Sequence, residues 1–349
     1  MKRIILTLLL PLLMTHHATA EPQRISVKGN RFVTPDGNTV VLKGLSASDP
    51  LKLSKDGRWN GAYFDAVKAW GSNTVRFPVH PSSWRKLGKN GYFKLLDQGI
   101  AMARARDLHV IIDWHSIGNL HQEKFFHGAD GFPTNAYDTT VAETFQFWHD
   151  ITLRYGKNPT VACFELFNEP ATGQGMGECS WEDWRSLMEK LIAKISADGG
   201  EAVPLVAGFD FAYDLKPVGE NPIRAEGIAY VSHPYPGKIK SPREWQEKWT
   251  RDWGFVAAKH PLVLTEIGFQ LPGEQGGYDP ITGEAEYAEA ILDFCARRGI
   301  SYNLWCFDTS WVPKLIADWD FTPTKSGAVF KEAMLRDRSS ITPAVSHNP

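Results

Sequence analysis

Residues 160–170 read TVACFELFNEP, an apolar run that ends in a cluster of polar groups. The same design recurs in NTVRFPV (73–79), HVIIDWH (109–115), PLVLTEIG (261–268) and ISYNLWCF (300–307). These strand-like runs alternate with helix-like segments, a pattern that favours parallel strands joined by helical crossovers. The sequence therefore predicts a parallel sheet whose strand ends carry the chemistry.

Eight such strands alternate with helical segments along the chain. The other three strands are predicted at 40–46, 202–208 and 227–233, and helices at 61–71, 95–107, 136–155, 181–197, 242–258, 284–298 and 326–335. Repeated βα units predict a single-domain (β/α)8 TIM barrel of the α/β class, with its active site at the carboxyl ends of the strands. The alternative, an open doubly wound sheet, requires a glycine-rich phosphate loop after the first strand, and none stands there.

A β-hairpin is predicted before the barrel. Residues 25–44 read ISVKGNRFVTPDGNTVVLKG, with Asp36 and Gly37 as a two-residue turn. The second arm is expected to run on into the first barrel strand. No linker rich in Pro, Ser or Thr follows, so we assign residues 21–337 to one catalytic barrel and 338–349 to a flexible tail.

Residues 1–20 have the layout of a secretory signal peptide. Lys2 and Arg3 precede an apolar run at 4–13, and ATA at 18–20 forms a small-residue cleavage site. The run is shorter than the roughly 20 residues that span a bilayer, although a membrane anchor or a core helix is the alternative. We expect cleavage after Ala20, export to the periplasm or the medium, and no membrane attachment afterwards.

The charge balance excludes polyanionic partners. The chain carries 38 basic and 40 acidic residues, a net charge of −2, and loss of the leader makes it more acidic. Such a surface favours neither nucleic acid nor an anionic membrane, so a neutral substrate is expected. The cysteines, whose pairing the sequence leaves open, are Cys163, Cys179, Cys295 and Cys306.

Eight polar or aromatic residues stand at six strand ends. They are Arg76, His115, Asn168, Glu169, His233, Tyr235, Glu266 and Trp305. Successive side chains of a strand point to opposite faces. One face of the strand before Asn168 therefore carries Cys163, Glu165, Phe167 and Glu169. One face of the strand at 261–268 likewise carries Leu262, Leu264 and Glu266. Two carboxylates that face each other across a barrel mouth can hydrolyse an acetal, because one protonates the leaving group while the other attacks the anomeric carbon.

FELFNEP and VLTEIGF resemble the two catalytic motifs of glycoside hydrolase family 5, the cellulase family. VRFPV, IIDWHS, SHPYP and LW supply the other members of that family's eight-residue reaction centre, in the family's order. The resemblance covers essentially the whole chain from the hairpin to the last helix. One departure is Ile267, where many members have tryptophan. It bears on subfamily rather than activity, because it lies outside the catalytic set.

The resemblance implies a role for each of the eight residues. Glu169 is the acid/base, Glu266 is the nucleophile, and Asn168 bonds the 2-hydroxyl of the sugar beside the scissile linkage. The other implied roles are contacts to the nucleophile by Arg76 and Tyr235, lining of the attacked sugar's subsite by His115 and His233, and the floor of that subsite by Trp305. A guanidinium beside Glu266 is expected to hold that carboxylate ionised.

The implied activity is retaining cleavage of internal β-1,4 linkages in a β-glucan such as cellulose. We expect a monomer that needs neither a metal nor an organic cofactor. The only expected partner is a polysaccharide or oligosaccharide substrate. A mannanase, or another hydrolase of β-linked polysaccharide, uses the same reaction centre and stays open as an alternative. A sugar-binding barrel without catalysis is a third hypothesis, disfavoured because both carboxylates are present.

Some polar and aromatic residues outside the set of eight also need an interpretation. Asp113 and Glu165 lie deeper on the faces that carry His115 and Glu169, so they are interpreted as structural and in need of partners. Candidates for outer sugar platforms are Trp59, Trp84, Trp311 and Trp319. A metal site is not predicted from His115, His121 and His127, since their spacing of six fits neither a strand nor a helix chelate.

Overall fold

The computed structural model describes residues 21–336 except 128–134, 240, 275 and 278. In chain order the strands are β1 (Ser26–Lys28), β2 (Arg31–Val33), β3 (Thr39–Val40), β4 (Lys43–Ser46), β5 (Thr74–Val79), β6 (His109–Trp114), β7 (Ile117–Asn119), β8 (Lys124–Phe125), β9 (Val161–Glu165), β10 (Glu169–Pro170), β11 (Val203–Ala207), β12 (Ala229–Val231), β13 (Leu262–Ile267) and β14 (Ser301–Leu304). The predicted leader and tail lie outside the described residues.

The helices surround these strands. They are α1 (Pro50–Lys55), α2 (Gly61–Ala69), α3 (Pro81–Leu87), α4 (Lys89–Arg104), α5 (Val141–Tyr155), α6 (Trp181–Ala197), α7 (Lys216–Glu220), α8 (Trp245–Asp252), α9 (Glu286–Arg298) and α10 (Lys325–Leu335). Apolar helix residues and outward strand residues form one large buried cluster. Within it Trp148 of α5 packs on Phe164 of β9, with ring centroids 5.1 Å apart. This burial of strands beneath helices is the reason for their continuous apolar sequences.

Eight strands close into the predicted parallel barrel, in the order β4-β5-β6-β9-β11-β12-β13-β14. The ring closes where β14 pairs with β4, so that Tyr302 lies opposite Lys43 and Leu304 opposite Leu45. Each strand is parallel to both neighbours, and all carboxyl ends therefore meet at one rim. The predicted (β/α)8 fold is confirmed.

The interior of the barrel is apolar below that rim. Ile25 and Phe32 of the N-terminal segment pack in one buried cluster with inward residues of the strands, among them Ile111, Cys163 and Val263. The N-terminal segment thus closes the end of the barrel opposite the rim. Polar side chains inside the barrel lie near the carboxyl ends of the strands. All four cysteines are free thiols.

The N-terminal hairpin is present but differs from the prediction. β1, β2 and β3 form a three-stranded antiparallel sheet, so there are two turns rather than one. Gly29 and Gly37 adopt positive φ angles of 59° and 86°, which glycine takes without steric cost, and they mark the two turns. β3 ends at Val40 and β4 begins only at Lys43, so the arm does not run on as one strand.

Several helix boundaries also differ. The segment predicted as one helix at 242–258 contains α8 alone, flanked by 3-10 turns at Pro242–Glu244 and Gly254–Ala258. Gly254, where the second of these turns begins, disfavours a continuous helix because glycine has a low helix propensity. Helix α5 begins at Val141 rather than 136, because the Thr140 side chain accepts from the Glu143 amide and caps it there.

A small sheet at the barrel mouth was not predicted. β10 pairs in parallel with β7, and β7 pairs in antiparallel fashion with β8. These strands are two or three residues long, too short for a periodic signal. Among the described residues no helix has the length and apolar character that a membrane crossing requires.

Candidate active site

A cavity of about 580 Å³ opens at the carboxyl ends of the barrel strands. Six of the eight predicted site residues line it: His115, Asn168, Glu169, Tyr235, Glu266 and Trp305. The other two, Arg76 and His233, are fully buried and contact the carboxylates from within the barrel. The structure therefore brings the whole predicted set together.

Glu266 reaches the cavity through a β-bulge, not by the alternation that the sequence suggested. Leu262 and Leu264 face the helices, whereas Val263 packs inside the barrel. The register with β14 shifts between Leu264 and Ile267, so Thr265 and Glu266 both present their side chains to the interior. The predicted face of Leu262, Leu264 and Glu266 was wrong, because a bulge inserts one extra residue and breaks the period of two.

Glu169 likewise lies beyond the point where alternation holds. Strand β9 ends at Glu165, and Phe167 packs outward on Trp184 of α6 with ring centroids 5.6 Å apart. The predicted shared face of Phe167 and Glu169 was therefore wrong. Glu169 is instead held by the small sheet: its amide donates to the Ser116 carbonyl at 3.1 Å, and it lies opposite Ile117 in β7.

The two carboxylates lie close together. One side-chain oxygen each of Glu169 and Glu266, together with a ring nitrogen of His233, all lie within 4.8 Å of one another. Retaining glycosidases keep their two carboxyl groups about 5–5.5 Å apart, while inverting enzymes need about 6.5–9.5 Å to admit a water molecule. The separation fits the retaining arrangement.

Arg76 is the centre of the buried network. Its Nε and Nη2 donate to Glu165 at 2.6 and 3.1 Å, and its Nη1 donates to Glu266 Oε1 at 2.9 Å. Nη2 also donates to Asn168 Oδ1 at 2.6 Å and lies 2.9 Å from Asp113 Oδ2. One guanidinium thus orients the cavity residues Asn168 and Glu266. The structural interpretation of Asp113 and Glu165 fits these contacts.

The pKa of Glu266 is not set by Arg76 in the way that the sequence suggested. Burial raises the pKa of Glu266, although His233 and Arg76 favour its ionised form. The expectation that Arg76 holds this carboxylate ionised did not consider burial, nor that the charge of Arg76 is shared with Asp113 and Glu165. Burial also raises the pKa of Asp113 well above its usual range, although the charge of Arg76 favours its ionised form.

His233 lies between the carboxylates as a cation. Its Nδ1 is 2.9 Å from Glu169 Oε1 and 3.8 Å from Glu266 Oε2. Its Nε2 is 2.8 Å from Thr265 Oγ1, whose proton is already donated to Glu165, so Nε2 donates as well. Burial lowers the pKa of His233, but these acids outweigh it and raise the pKa to about 9.

This raised pKa predicts a pH-dependent contribution to stability. The pKa of about 9 in the folded state lies above the ordinary 6.5, so the stabilisation is complete below pH 6.5 and is lost as the pH rises through 9. The difference in unfolding free energy between wild type and His233→Gln should shrink by about 2 kcal/mol from pH 7.5 to 10. Urea denaturation across this range measures it.

His109→Gln is the matched control for that experiment. His109 is also buried, but burial lowers its pKa to about 4, so it is neutral throughout this pH range. The difference in unfolding free energy between wild type and His109→Gln should stay constant between pH 7.5 and 10. A constant difference for His233→Gln as well would show that His233 is neutral in the folded protein.

Aromatic rings cover one side of the cavity. The His115 ring stacks on Trp305 with centroids 5.3 Å apart and planes 7° from parallel. Burial, with the nearby charge of Arg76, lowers the pKa of His115 well below its usual value, so this histidine is neutral. Trp305 also stacks on Trp311 at 6.0 Å, and its Nε1 donates to the Val312 carbonyl at 3.0 Å. These contacts hold the Trp305 ring in place along one side of the cavity.

Several residues of the cavity could not be predicted from the sequence. His80, Tyr137, Phe126 and Phe211 line the cavity but were not predicted. A signal existed for His80, which directly follows the strand of Arg76; its Nδ1 lies 3.0 Å from Asp49 Oδ2. The others belong to loops, where sequence periodicity says nothing about position.

Two of the four candidate tryptophan platforms were wrong. Trp59 and Trp84 are buried in the core; Trp59 packs edge-on against Phe77 and Trp84 against Phe147, both with centroids 5.0 Å apart. Trp311 lines the cavity, whereas Trp319 does not. His121 and His127 do not line it either, and His127 pairs with Asp138 at 3.0 Å. Trp84 looked like a loop residue because its short helix begins with Pro81.

The model of the cellulase family, glycosyl hydrolase family 5, matches residues 33–310. The chain is 26% identical over 294 residues to Endoglucanase A of Butyrivibrio fibrisolvens, covering 81% of this chain and 59% of that protein. It is 23% identical over 319 residues to Endoglucanase E-5 of Thermobifida fusca, covering 88% and 58% respectively. The chain thus spans less than two thirds of the length of these relatives.

A solved β-glucanase from Saccharophagus degradans superposes on the chain with a TM-score of 0.86. It is 40% identical, covers 94% of this chain and 97% of its own, and was also crystallised with cellotetraose. The family model spans most of the chain, including Glu169 and Glu266. The chain therefore belongs to the cellulase family, glycosyl hydrolase family 5.

Proposed function

We propose that the protein is a retaining glycoside hydrolase that cleaves internal β-1,4 linkages of a β-glucan such as cellulose. The observation that carries the mechanism is the approach of Glu169 and Glu266 to within 4.8 Å. Family membership supports the reaction, and the β-glucanase that shares 40% of its residues supports the substrate class.

In the first step Glu266 attacks the anomeric carbon while Glu169 protonates the departing oxygen. The Glu266 carboxylate is oriented by Arg76 Nη1 at 2.9 Å and by the Tyr235 hydroxyl at 2.8 Å. Both donors favour its ionised form, as attack requires. Two fixed hydrogen bonds leave little freedom of orientation, so the nucleophile is held ready for the sugar.

Asn168 is proposed to bind the 2-hydroxyl of the attacked sugar. Its Oδ1 accepts from Arg76 at 2.6 Å, which directs the remaining amide group, a donor of two hydrogen bonds, away from the arginine. Asn168 also lines the cavity beside Glu169. Bonds to this hydroxyl strengthen in oxocarbenium-like transition states, so the contact acts on turnover. Trp305 is proposed as the floor on which that sugar packs.

In the second step water attacks the glycosyl-enzyme ester, Glu169 takes its proton, and Glu266 leaves as a carboxylate. His233 donates to Glu169 at 2.9 Å and so holds the acid/base in place between the two steps. The two carboxylates and one water molecule balance the reaction, so we propose no cofactor. The expected monomeric state stays a prediction that light scattering tests.

The test of this proposal is a substrate screen with a stereochemical readout. Reducing-sugar release is measured on carboxymethylcellulose, barley β-glucan, galactomannan, xylan and xyloglucan. We expect release from the first two, with the β-anomer as the first product in the NMR spectrum. Release from galactomannan alone would establish the mannanase, and first-formed α-anomer would rule out retention. No release from any polymer would favour the non-catalytic sugar-binding barrel.

We also propose that the protein is exported, with cleavage after Ala20. The support is the basic start, the apolar run and the small-residue site of residues 1–20. Mass spectrometry of protein from the medium or periplasm of an expressing host should give Glu21 as the first residue. A retained Met1 in that fraction would contradict this proposal and leave the proposed reaction untouched.

A further inference from the structure

A second cavity, of about 450 Å³, lies between helices α1 and α3. The polar residues that line it on these helices are Lys52, Lys55, Asp56, Ser82, Ser83 and Lys86. This lysine pocket is positive, with three cations against one acid, although the chain as a whole carries a net charge of −2. A cavity in which one sign of charge predominates concentrates ligands of the opposite sign.

Among the described residues, no acid pairs with two of the three lysines. Lys52 pairs with Asp56 at 2.9 Å and with Asp308 at 2.7 Å, whereas Lys55 and Lys86 form no ion pair there. The Lys86 ammonium lies close enough to Lys55 to lower the pKa of Lys55. Because two like charges repel each other, an anion placed between them removes this repulsion and is attracted by both.

The two helices of the lysine pocket are joined where they begin. Asp49 caps α1, because its side chain accepts from the Leu51 amide at 2.7 Å. Its other oxygen accepts from the His80 amide at 3.1 Å and lies 3.0 Å from His80 Nδ1, and His80 directly precedes α3. Asp49 and His80 are both buried. The helices are thus fixed relative to each other, so a ligand finds the pocket already formed.

The lysine pocket lies on the side of the barrel where the attacked sugar binds. β4 leads to α1, and β4 is the neighbour of β14, which leads to Trp305; Glu169 follows β9, on the opposite side of the barrel. Trp311 stacks on Trp305 with centroids 6.0 Å apart, and Lys52 Nζ lies 6.0 Å from the Trp311 centroid. His80 lines the first cavity and meets Trp311 edge-on at 5.2 Å. The non-reducing part of a chain whose attacked sugar packs on Trp305 therefore extends towards the lysine pocket.

We infer that the lysine pocket binds a carboxylate on the non-reducing part of the substrate chain, and that the enzyme acts on β-glucans that contain glucuronic acid units. A lysine ammonium is a compact charge on a flexible stem, so it binds a carboxylate without demanding one fixed geometry. Ser82 and Ser83 add hydroxyl donors. This inference rests on the proposed function and extends its substrate class from neutral to acidic glucans. The net charge of the chain predicted a neutral substrate, and the pocket is a local exception to that charge.

The test compares two chromogenic substrates that differ in one carboxylate. They are 4-nitrophenyl β-cellotrioside and the same glycoside with its terminal glucose oxidised at C6 to glucuronic acid. The ratio of kcat/KM for the acidic glycoside to that for the neutral one should exceed one in the wild type and fall at high salt. It should fall about threefold in Lys55→Gln and in Lys86→Gln, as expected for one exposed ion pair, and about tenfold in the double variant.

Lys248→Gln is the matched control, because it removes the same charge from α8 and should keep the wild-type ratio. Lys55 and Lys86 are exposed, so their replacement leaves the fold intact, and urea denaturation checks this. A wild type that prefers the neutral glycoside, an unchanged ratio in the double variant, or equal losses on both substrates would overturn the carboxylate site while the proposed function stands. Wild-type protein that releases nitrophenol from neither substrate would instead overturn the proposed function.

Discussion

Replacement of Arg76 by methionine is expected to lower the free energy of unfolding by about 3–5 kcal/mol, since it leaves buried acids without their cation. Arg76 lies within 2.9 Å of Asp113, Glu165 and Glu266, and neither it nor the first two have any exposed side-chain surface. Methionine fills a similar volume, so the loss reports the unpaired charges rather than a cavity. Urea denaturation at pH 7 measures it.

Arg154→Met is the control for this prediction. Arg154 bonds Asp97 through two nitrogens, but both side chains are more than 40% exposed. A surface pair of this kind contributes about 0–1 kcal/mol, so the control should lose little. The loss in Arg76→Met should also shrink at low pH, since protonated carboxyl groups need no counter-charge. A loss below 1 kcal/mol at pH 7 would show that the acids are already neutral in the folded protein.

The barrel and its eight site residues could be predicted from the sequence because both rest on strong local signals. Strands buried on both faces read as continuous apolar runs, and polar residues at their ends interrupt those runs abruptly, as at Asn168 and Glu169. The common rim then follows from the parallel arrangement alone. Arg76 and His233 were found in this way, although neither is visible from the cavity surface.

The orientation of the two glutamates could not be derived by the same reasoning. Alternation fails at Thr265–Glu266, where the strand bulges, and after Glu165, where it stops. A bulge depends on pairing with the next strand, and such pairing is a tertiary property that leaves no period in the chain. The expected faces of Phe167 and Leu264 were wrong for this reason, even though the glutamates reach the cavity.

The positions of loop residues and the pKa values of the site could not be predicted from the sequence either. Phe211 reaches the cavity through a left-handed turn that contains no glycine to announce it. Trp84 is buried on a short helix that begins with proline and so resembles a loop. The raised pKa of Glu266 reflects burial within a cluster that only the folded chain assembles. Composition and spacing identify which ionisable groups lie close together, but not which of them are protonated.

The proposed roles of the two glutamates can be separated by chemical rescue. On a natural β-glucan Glu169→Ala should lose about 10²- to 10⁴-fold in kcat, because the leaving oxygen then departs without a proton. An activated aryl β-glycoside needs no such proton, so this variant should form the glycosyl-enzyme quickly and then stall. Azide needs no base, and attack on the stalled intermediate should give the β-glycosyl azide through two inversions at the anomeric carbon.

Glu266→Ala should behave in the opposite way, because it cannot form the covalent intermediate. Azide that enters the space left by the carboxylate, beside Arg76 and Tyr235, should displace the activated leaving group directly. A single inversion then gives the α-glycosyl azide. The anomeric configuration of each azide is read by NMR, with Glu165→Gln as a third variant that keeps Glu169 and Glu266. The reverse pair of anomers would show that Glu169 is the nucleophile, and β-azide from both variants would contradict the assignment of either role.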